Sequence, residues 1–222
     1  HISKAEGADR LTVLISIDCR AESITPQTAR EIESAFPQLS LLIYRSDFPN
    51  PYYGSSFNAM TGMELAASLL PEYIFFIEED VMVAPDFFRW SLEVHKQKEL
   101  FATIGCRNQR RKFELPDRPE FYYTTSIDYR SQGICFPLAS VEKILVHAIP
   151  EYWSDMKGYV NRTFPDSRFK NEFEEHDGLA MRVMAEMNLP VAYPCLPRAY
   201  HSGYYGYHSV LPGPAGTLPE RV

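Results

Sequence analysis

The most constraining feature of the sequence is an apolar run that ends abruptly in three acidic residues. Tyr73 to Ile77 is apolar at every position and is followed at once by Glu78, Glu79 and Asp80. Such a run predicts a strand covered on both faces, as in the centre of a parallel sheet. Ligands of open α/β sheets bind beyond the carboxyl ends of the strands, so these carboxylates stand where a ligand is expected. The alternative is a solvated acidic loop.

The segments before this run alternate between strand and helix patterns. A β-branched run predicts a strand from Leu11 to Ile17, and a helical period follows from Thr25 to Phe36. A second strand is predicted from Leu39 to Tyr44 and a second helix from Phe57 to Leu70, which Pro71 ends. The first 80 residues therefore predict the order β-α-β-α-β.

The second half predicts shorter elements and an irregular end. Short strands are expected at Phe101–Gly105 and Gly133–Pro137, and helices at Leu138–Ala148 and Asp177–Met187. From Pro194 to Val222 the many prolines and glycines predict irregular chain wrapped over the domain. Because no repeat or linker interrupts the chain, we expect one domain over residues 1–222.

Composition and charge narrow the functional classes. The chain has 222 residues, 45% of them hydrophobic, which is enough for a substantial core. Its 22 basic and 29 acidic residues give a net charge of −7, which argues against nucleic-acid binding. No apolar stretch approaches the roughly 18 residues of a membrane span. We expect a soluble domain, and the four cysteines do not decide between the cytoplasm and the secretory-pathway lumen.

The acidic segment carries a family resemblance. Residues 74–88, Ile-Phe-Phe-Ile-Glu-Glu-Asp-Val-Met-Val-Ala-Pro-Asp-Phe-Phe, resemble the segment around the acidic DxD-type motif of nucleotide-sugar glycosyltransferases of the A fold. They are most similar to the β-1,2-N-acetylglucosaminyltransferase I group. The resemblance implies that Asp80 binds Mn²⁺ bridging the donor diphosphate, that Glu79 faces the ribose and that Glu78 lies near the sugar. Residues 15–19 are similar to that group's second strand, which implies that Asp18 binds the uracil base.

The chain also departs from that family. Glutamate holds the middle acidic position, so we expect the ribose contact to be indirect or shifted. The family's fold has another strand and helix before the segment that begins at Leu11, and residues 1–10 look like the tail of that helix and its exit loop. We therefore expect either a truncated N-terminus or a nucleotide pocket whose edge is built differently.

A second acidic cluster opens a predicted helix. Glu172 to Arg182 contains four carboxylates and a histidine, and it resembles the acidic motif of inverting transferases in which one carboxylate is the general base. The resemblance favours Asp177 as the base, with Glu175 as the alternative and His176 where an acid often stands. A purely electrostatic interpretation is that these acids complement the positive end of the helix.

The segment Pro194 to His201 resembles the part of polypeptide N-acetylgalactosaminyltransferases in which a histidine completes the metal site. The resemblance implies that His201 is a metal ligand, and His208 is the competing candidate. The residues Tyr204 to Tyr207 are expected to form a flap over the donor, or to pack structurally.

Together these features predict an α/β, Rossmann-like glycosyltransferase A-fold domain with a mostly parallel central sheet, apparently lacking the first strand. Residues 1–90 would bind the nucleotide sugar, and residues 91–222 would supply the acceptor half and the C-terminal flap. The expected activity is an inverting, metal-dependent transfer from a UDP-sugar, with UDP-N-acetylglucosamine as the candidate donor, to a glycan or other hydroxyl acceptor. Mn²⁺ or Mg²⁺ is the expected cofactor. The alternative is a non-catalytic nucleotide- or carbohydrate-binding module derived from such an enzyme.

Overall fold

The structure, a computed structural model, describes residues 2–17, 26–45, 54–78, 80–106, 123–127, 129–130, 132–169 and 175–201, with the backbone alone at positions 26, 29, 45, 55 and 201. In this part of the chain the fold is mixed α/β. None of the helices described combines the length and the apolar character that crossing a bilayer requires.

The N-terminal part has the predicted alternation of strands and helices. Its elements are β1 (Thr12–Ile17), α1 (Pro26–Ala35), β2 (Ser40–Arg45), α2 (Gly54–Ser68) and β3 (Tyr73–Phe76). Strands β1 and β2 pair in parallel over their whole length. Before them, residues 2–10 form two single 3-10 turns, Ile2–Lys4 and Ala8–Arg10, where the sequence predicts the tail of a helix and a loop.

The remaining elements include four of the five strands of a second sheet, whose fifth strand is β3. They are β4 (Val81–Val83), α3 (Phe87–Gln97), β5 (Ala102–Ile104), β6 (Tyr123–Ser126), β7 (Ile134–Pro137), α4 (Leu138–Leu145), α5 (Pro150–Ser154), α6 (Met156–Thr163), α7 (His176–Met187), β8 (Val191–Pro194) and β9 (Ala199–His201). The five-stranded sheet has the order β3-β7-β5-β8-β6, and β4 pairs with β9 in a separate two-stranded sheet. The tail predicted to be irregular thus contains β9, and residues 202–222 lie outside the described part.

The predicted mostly parallel sheet is wrong for the described residues. Only β1/β2 and β5/β8 are parallel, and the other four pairings are antiparallel. The β3 strand, predicted to be central, lies at the edge of the five-stranded sheet and pairs antiparallel with β7. A Rossmann-like arrangement therefore stays a prediction, as does the division into one domain.

The apolar sequence of β3 is explained by the packing of both its faces and not by a central place in the sheet. Ile74 and Phe76 pack into the larger hydrophobic cluster with α2, α4 and α7, whereas Phe75 and Ile77 pack into a second cluster with β4 and α3. Phe75 makes edge-to-face contacts with Phe87 and Phe88. Both faces of β3 are thus covered although the strand is at an edge, and coverage rather than strand pairing is what an apolar run reports.

Two glycines let β9 lie directly against the sheet. A Cβ at Gly105 would fall 2.8 Å from the Ala199 Cβ, and one at Gly133 would fall 2.6 Å from it, closer than side-chain atoms pack. Gly133 also has a φ of +64°, in the left-handed region that favours glycine. The backbone N–H groups of Arg198 and Ala199 both donate to the Gly105 carbonyl, at 2.7 and 3.0 Å.

We therefore predict that Gly133→Ala destabilises the protein more than Gly7→Ala does. Gly7 has a φ of +82°, but a Cβ there would meet nothing within 4 Å, so the control costs only the backbone strain of roughly 1–2 kcal/mol. At Gly133 the same strain is joined by an overpacking cost of roughly 1–3 kcal/mol. Thermal or urea unfolding measures both variants, and equal losses would show that Ala199 moves aside freely.

Candidate active site

The structure describes most of the sequence-predicted site residues. Glu78, Asp80, Glu175 and Asp177 are described with their side chains, and His201 is described by its backbone alone. Two others, Asp18 and Glu79, lie outside the described residues, as do His208 and the predicted flap of residues 204–207. Their predicted roles in binding the nucleotide, the metal and the donor stay predictions.

A backbone hydrogen bond links the two ends of the acidic segment. The Val81 N–H donates to the Glu78 carbonyl at 3.1 Å, which is a turn contact between β3 and β4. Glu78 and Asp80 are partly exposed, whereas Val81 is fully buried. The buried valine fixes the turn against the core and leaves carboxylates at the surface of the site.

The pairing of β4 with β9 brings Asp80 and His201 into neighbouring register positions. His201 lies opposite Val81, which directly follows Asp80, and Ala199 lies opposite Val83. Asp80 and His201, 121 positions apart in the sequence, are therefore brought to the same end of a two-stranded sheet. The sequence predicts both residues as metal ligands. It does not predict the pairing of β4 with β9, because the tail that contains β9 has the pattern of irregular chain.

A buried arginine holds β9 in place. The Arg198 Nε donates to Asp86 Oδ2 at 3.0 Å, its Nη1 donates to the Leu196 carbonyl, and its guanidinium lies 5.1 Å from the centre of the Trp90 ring. Asp86 occupies the N-cap position of α3, but its carboxylate makes no capping hydrogen bond. The carboxylate instead joins the start of α3 to β9.

The second acidic cluster opens α7. Glu175 is exposed at the N-cap position and makes no side-chain capping bond, while Asp177 lies in the first turn. The buried Arg182 fixes this turn, because its Nη1 and Nη2 donate to the carbonyls of Gly178 and Phe169 at 2.8 and 2.9 Å. Asp177 therefore lies in a helix turn that the hydrogen bonds of Arg182 stabilise.

The two acidic segments meet around Tyr129. Burial raises the pKa of the Tyr129 hydroxyl well above its usual value, and the negative charges of Asp177 and Glu78 raise it further. The ring packs against Phe101 and Phe136 in the core. A neutral phenol therefore lies within electrostatic range of one carboxylate from the turn after β3 and one from α7.

The first turns of α2 connect the site to β1 and to α7. The Ser16 Oγ, near the end of β1, donates to Asn58 Oδ1 at 2.7 Å, and Asn58 Nδ2 donates back to the Ser16 carbonyl at 3.2 Å. Two residues earlier, Ser56 Oγ hydrogen-bonds His176 Nδ1 at 3.0 Å. Sequence reasoning missed Ser56 and Asn58, since nothing in the chain links them to partners 120 and 42 positions away.

His176 lies between Ser56 and Asp177. Its Nε2 is 3.2 Å from Asp177 Oδ1, which is ion-pair distance, yet neither atom has a hydrogen-bond partner among the described residues. The distance is short enough for a hydrogen bond, so the direction of the N–H group is what fails. The Asp177 side chain is 31% exposed although Oδ1 is buried, so solvent reaches the carboxylate from the Oδ2 side.

The donor chemistry of Asp80 and His201 fits a divalent cation. Carboxylate and imidazole together suit Mn²⁺, and Mg²⁺ is commonly held by one or two carboxylates plus substrate phosphates. The described side chains contain no group of three or more His, Cys, Asp or Glu residues that would hold a metal by themselves.

Two cysteines near the sheet do not supply a nucleophile. Burial raises the pKa of the Cys106 thiol to about 11, although the Arg130 charge opposes the shift. Burial likewise raises the pKa of Cys135 well above its usual value. Both thiols stay protonated near neutral pH, so neither is an activated nucleophile.

No protein-family model matches the chain, and no curated protein matches it significantly. Membership of a glycosyltransferase family therefore stays a prediction from the sequence.

Proposed function

We propose that the chain is an inverting, metal-dependent glycosyltransferase that moves a sugar from a UDP-sugar to an acceptor hydroxyl. One observation carries the proposal: the strand β4 pairs with β9 so that His201 lies opposite Val81, the residue after Asp80, which brings the two predicted metal-binding segments together. Glu78 and Asp177, predicted to lie at the sugar and at the attacking hydroxyl, also both contribute to the raised pKa of the buried Tyr129 hydroxyl, for which burial is the main cause.

Asp177 is the proposed general base. In an inverting transfer the acceptor hydroxyl attacks the anomeric carbon while a base takes its proton. The partly exposed Asp177 carboxylate is open to an acceptor from the Oδ2 side, and its helix start is held by Arg182. Glu175, the alternative base, is exposed at the N-cap position without a capping bond.

The donor would bind across the ends of β1 and β3. Ser16 is held by Asn58 two residues before Asp18, the residue expected to bind the uracil. Asp80 and His201 would hold the cation, which when bound stabilises the negative charge of the departing diphosphate as a Lewis acid. Glu78 would contact the sugar, and Glu79 the ribose.

The test of the function is a screen of nucleotide sugars for UDP release, followed by mass spectrometry of the acceptor. Calorimetry with UDP and Mn²⁺ runs beside it. Release and transfer with one donor support the transferase. Binding without transfer or donor hydrolysis would favour the non-catalytic binding module. The absence of both binding and turnover would contradict both functions.

Asp80→Asn should abolish Mn²⁺-dependent UDP binding and leave the melting temperature of the ligand-free protein unchanged or raised. The substitution removes a metal-binding charge and also removes repulsion from the neighbouring acids. Calorimetry and thermal unfolding measure the two effects, with Glu64→Gln on α2 as the control away from the turn. Unaltered Mn²⁺ affinity in Asp80→Asn would remove Asp80 from the metal site.

Asp177→Asn should lower turnover by roughly 10²- to 10⁴-fold with donor affinity nearly intact, because the amide cannot accept a proton. Glu175→Gln is the matched control and should do much less. Steady-state kinetics with the identified donor separate kcat from KM. A dead Glu175→Gln with an active Asp177→Asn would move the base by two residues, and full activity of both would contradict the inverting mechanism.

A further inference from the structure

Ser56, His176 and Asp177 form a continuous chain of polar side chains that ends at the candidate base. Ser56 is 2% exposed and His176 is 7% exposed. Their side chains are joined at 3.0 Å through Nδ1, and Nε2 then faces Asp177 Oδ1 at 3.2 Å. In hydrolases a serine, a histidine and an aspartate form a nucleophilic triad, but the burial of Ser56 excludes attack on a substrate here.

The proton positions in this chain follow from its partners. The hydroxyl of Ser56 can donate to Nδ1, in which case a neutral His176 carries its proton on Nε2 and presents an N–H to the carboxylate. The opposite tautomer would place the Nε2 lone pair against the Asp177 oxygen, which is repulsive. The Ser56 hydroxyl can donate to Nδ1 or accept from it, so it fits either tautomer, and the Asp177 carboxylate facing Nε2 is the group that favours the Nε2–H form.

We propose that His176 is a positioning residue for the general base, holding Asp177 Oδ1 so that Oδ2 is aimed at the acceptor hydroxyl, and that Ser56 anchors the opposite side of the imidazole ring. This inference rests on the proposed function. The off-line geometry of the ligand-free pair fits such a role, because hydrogen bonds of catalytic groups are often poorly aligned before substrate binds. Edge-to-face contact with Phe76, 6.0 Å between ring centres, fixes the plane of the imidazole ring.

Two substitutions separate the two sides of the imidazole. The amide nitrogen of His176→Gln reaches the Nε2 position and keeps a donor for Asp177, whereas His176→Asn keeps a partner for Ser56 alone. We expect His176→Gln to lower kcat by about threefold and His176→Asn by roughly 10- to 100-fold, the range for a misplaced reacting group, with donor KM unchanged. His147→Asn is the matched control, because its Nδ1 also bonds a hydroxyl, that of Tyr159 at 2.8 Å, outside the site.

A merely structural role predicts a different pattern. It would lower the melting temperature in both His176 variants and leave their kcat values equal, and that result would overturn the proposal. In an Asp177→Asn background, His176→Asn should cause no further loss of kcat, because a residue acting through the base has nothing left to position. An additional loss of tenfold or more would also overturn it.

Nitrogen-15 NMR of the full chain labelled in its histidine rings gives a readout that does not depend on activity. We expect the Nε2–H tautomer at His176 in the wild type and a mixture of tautomers in Asp177→Asn, because the amide can face Nε2 with either its oxygen or its nitrogen. An Nδ1–H tautomer in the wild type would contradict the positioning role even if the enzyme transfers sugar. Absence of any transfer with the expected tautomer present would instead count against the proposed function.

Discussion

The close approach of Ala199 to two glycines is the contact on which the arrangement of the site depends. Without side chains at Gly105 and Gly133, β9 lies directly on the ends of β5 and β7, and two N–H groups donate to the Gly105 carbonyl. Arg198 locks this position through Asp86 and Trp90. Once β9 is fixed, its register with β4 places His201 opposite Val81, so the neighbourhood of Asp80 follows from backbone packing in the core.

The other half of the site depends on the first turns of α2. Asn58 binds both the side chain and the carbonyl of Ser16, and Ser56 binds His176. One helix start therefore connects the end of β1 with the start of α7, which are separated by more than half of the chain. Buried polar contacts of this kind are specific because each donor or acceptor left without a partner would cost about 1–3 kcal/mol. The polar contacts align segments that apolar packing alone would allow to slide.

The sequence predicted the longer elements well and the pairings poorly. The patterns and compositions that predict α1, α2, α4 and α7 are local properties of the sequence, and the structure has helices at all four places. The three-residue strands β4 and β9 are too short to show a period. The apolar run of β3 reported that both faces are covered, but hydrogen-bond partners are set by distant segments, so the central parallel strand was the wrong inference. Among the site residues, the carboxylates could be identified from the sequence. Ser56 could not, because only the fold brings it into contact with His176.

The burial of His176 Nε2 and Asp177 Oδ1 distinguishes the two interpretations of the acids at the start of α7. If these acids only complemented the helix end, exposed carboxylates would serve, and each would contribute about 0.3–1 kcal/mol. Burying a polar atom without a hydrogen-bond partner costs about 1–3 kcal/mol, so stability alone gives no reason to place Oδ1 against an imidazole. Glu175, which is exposed on the same turn, fits the electrostatic interpretation. Asp177 has a different geometry, with Oδ1 buried 3.2 Å from His176 Nε2, which is the arrangement that the proposed positioning of the general base requires.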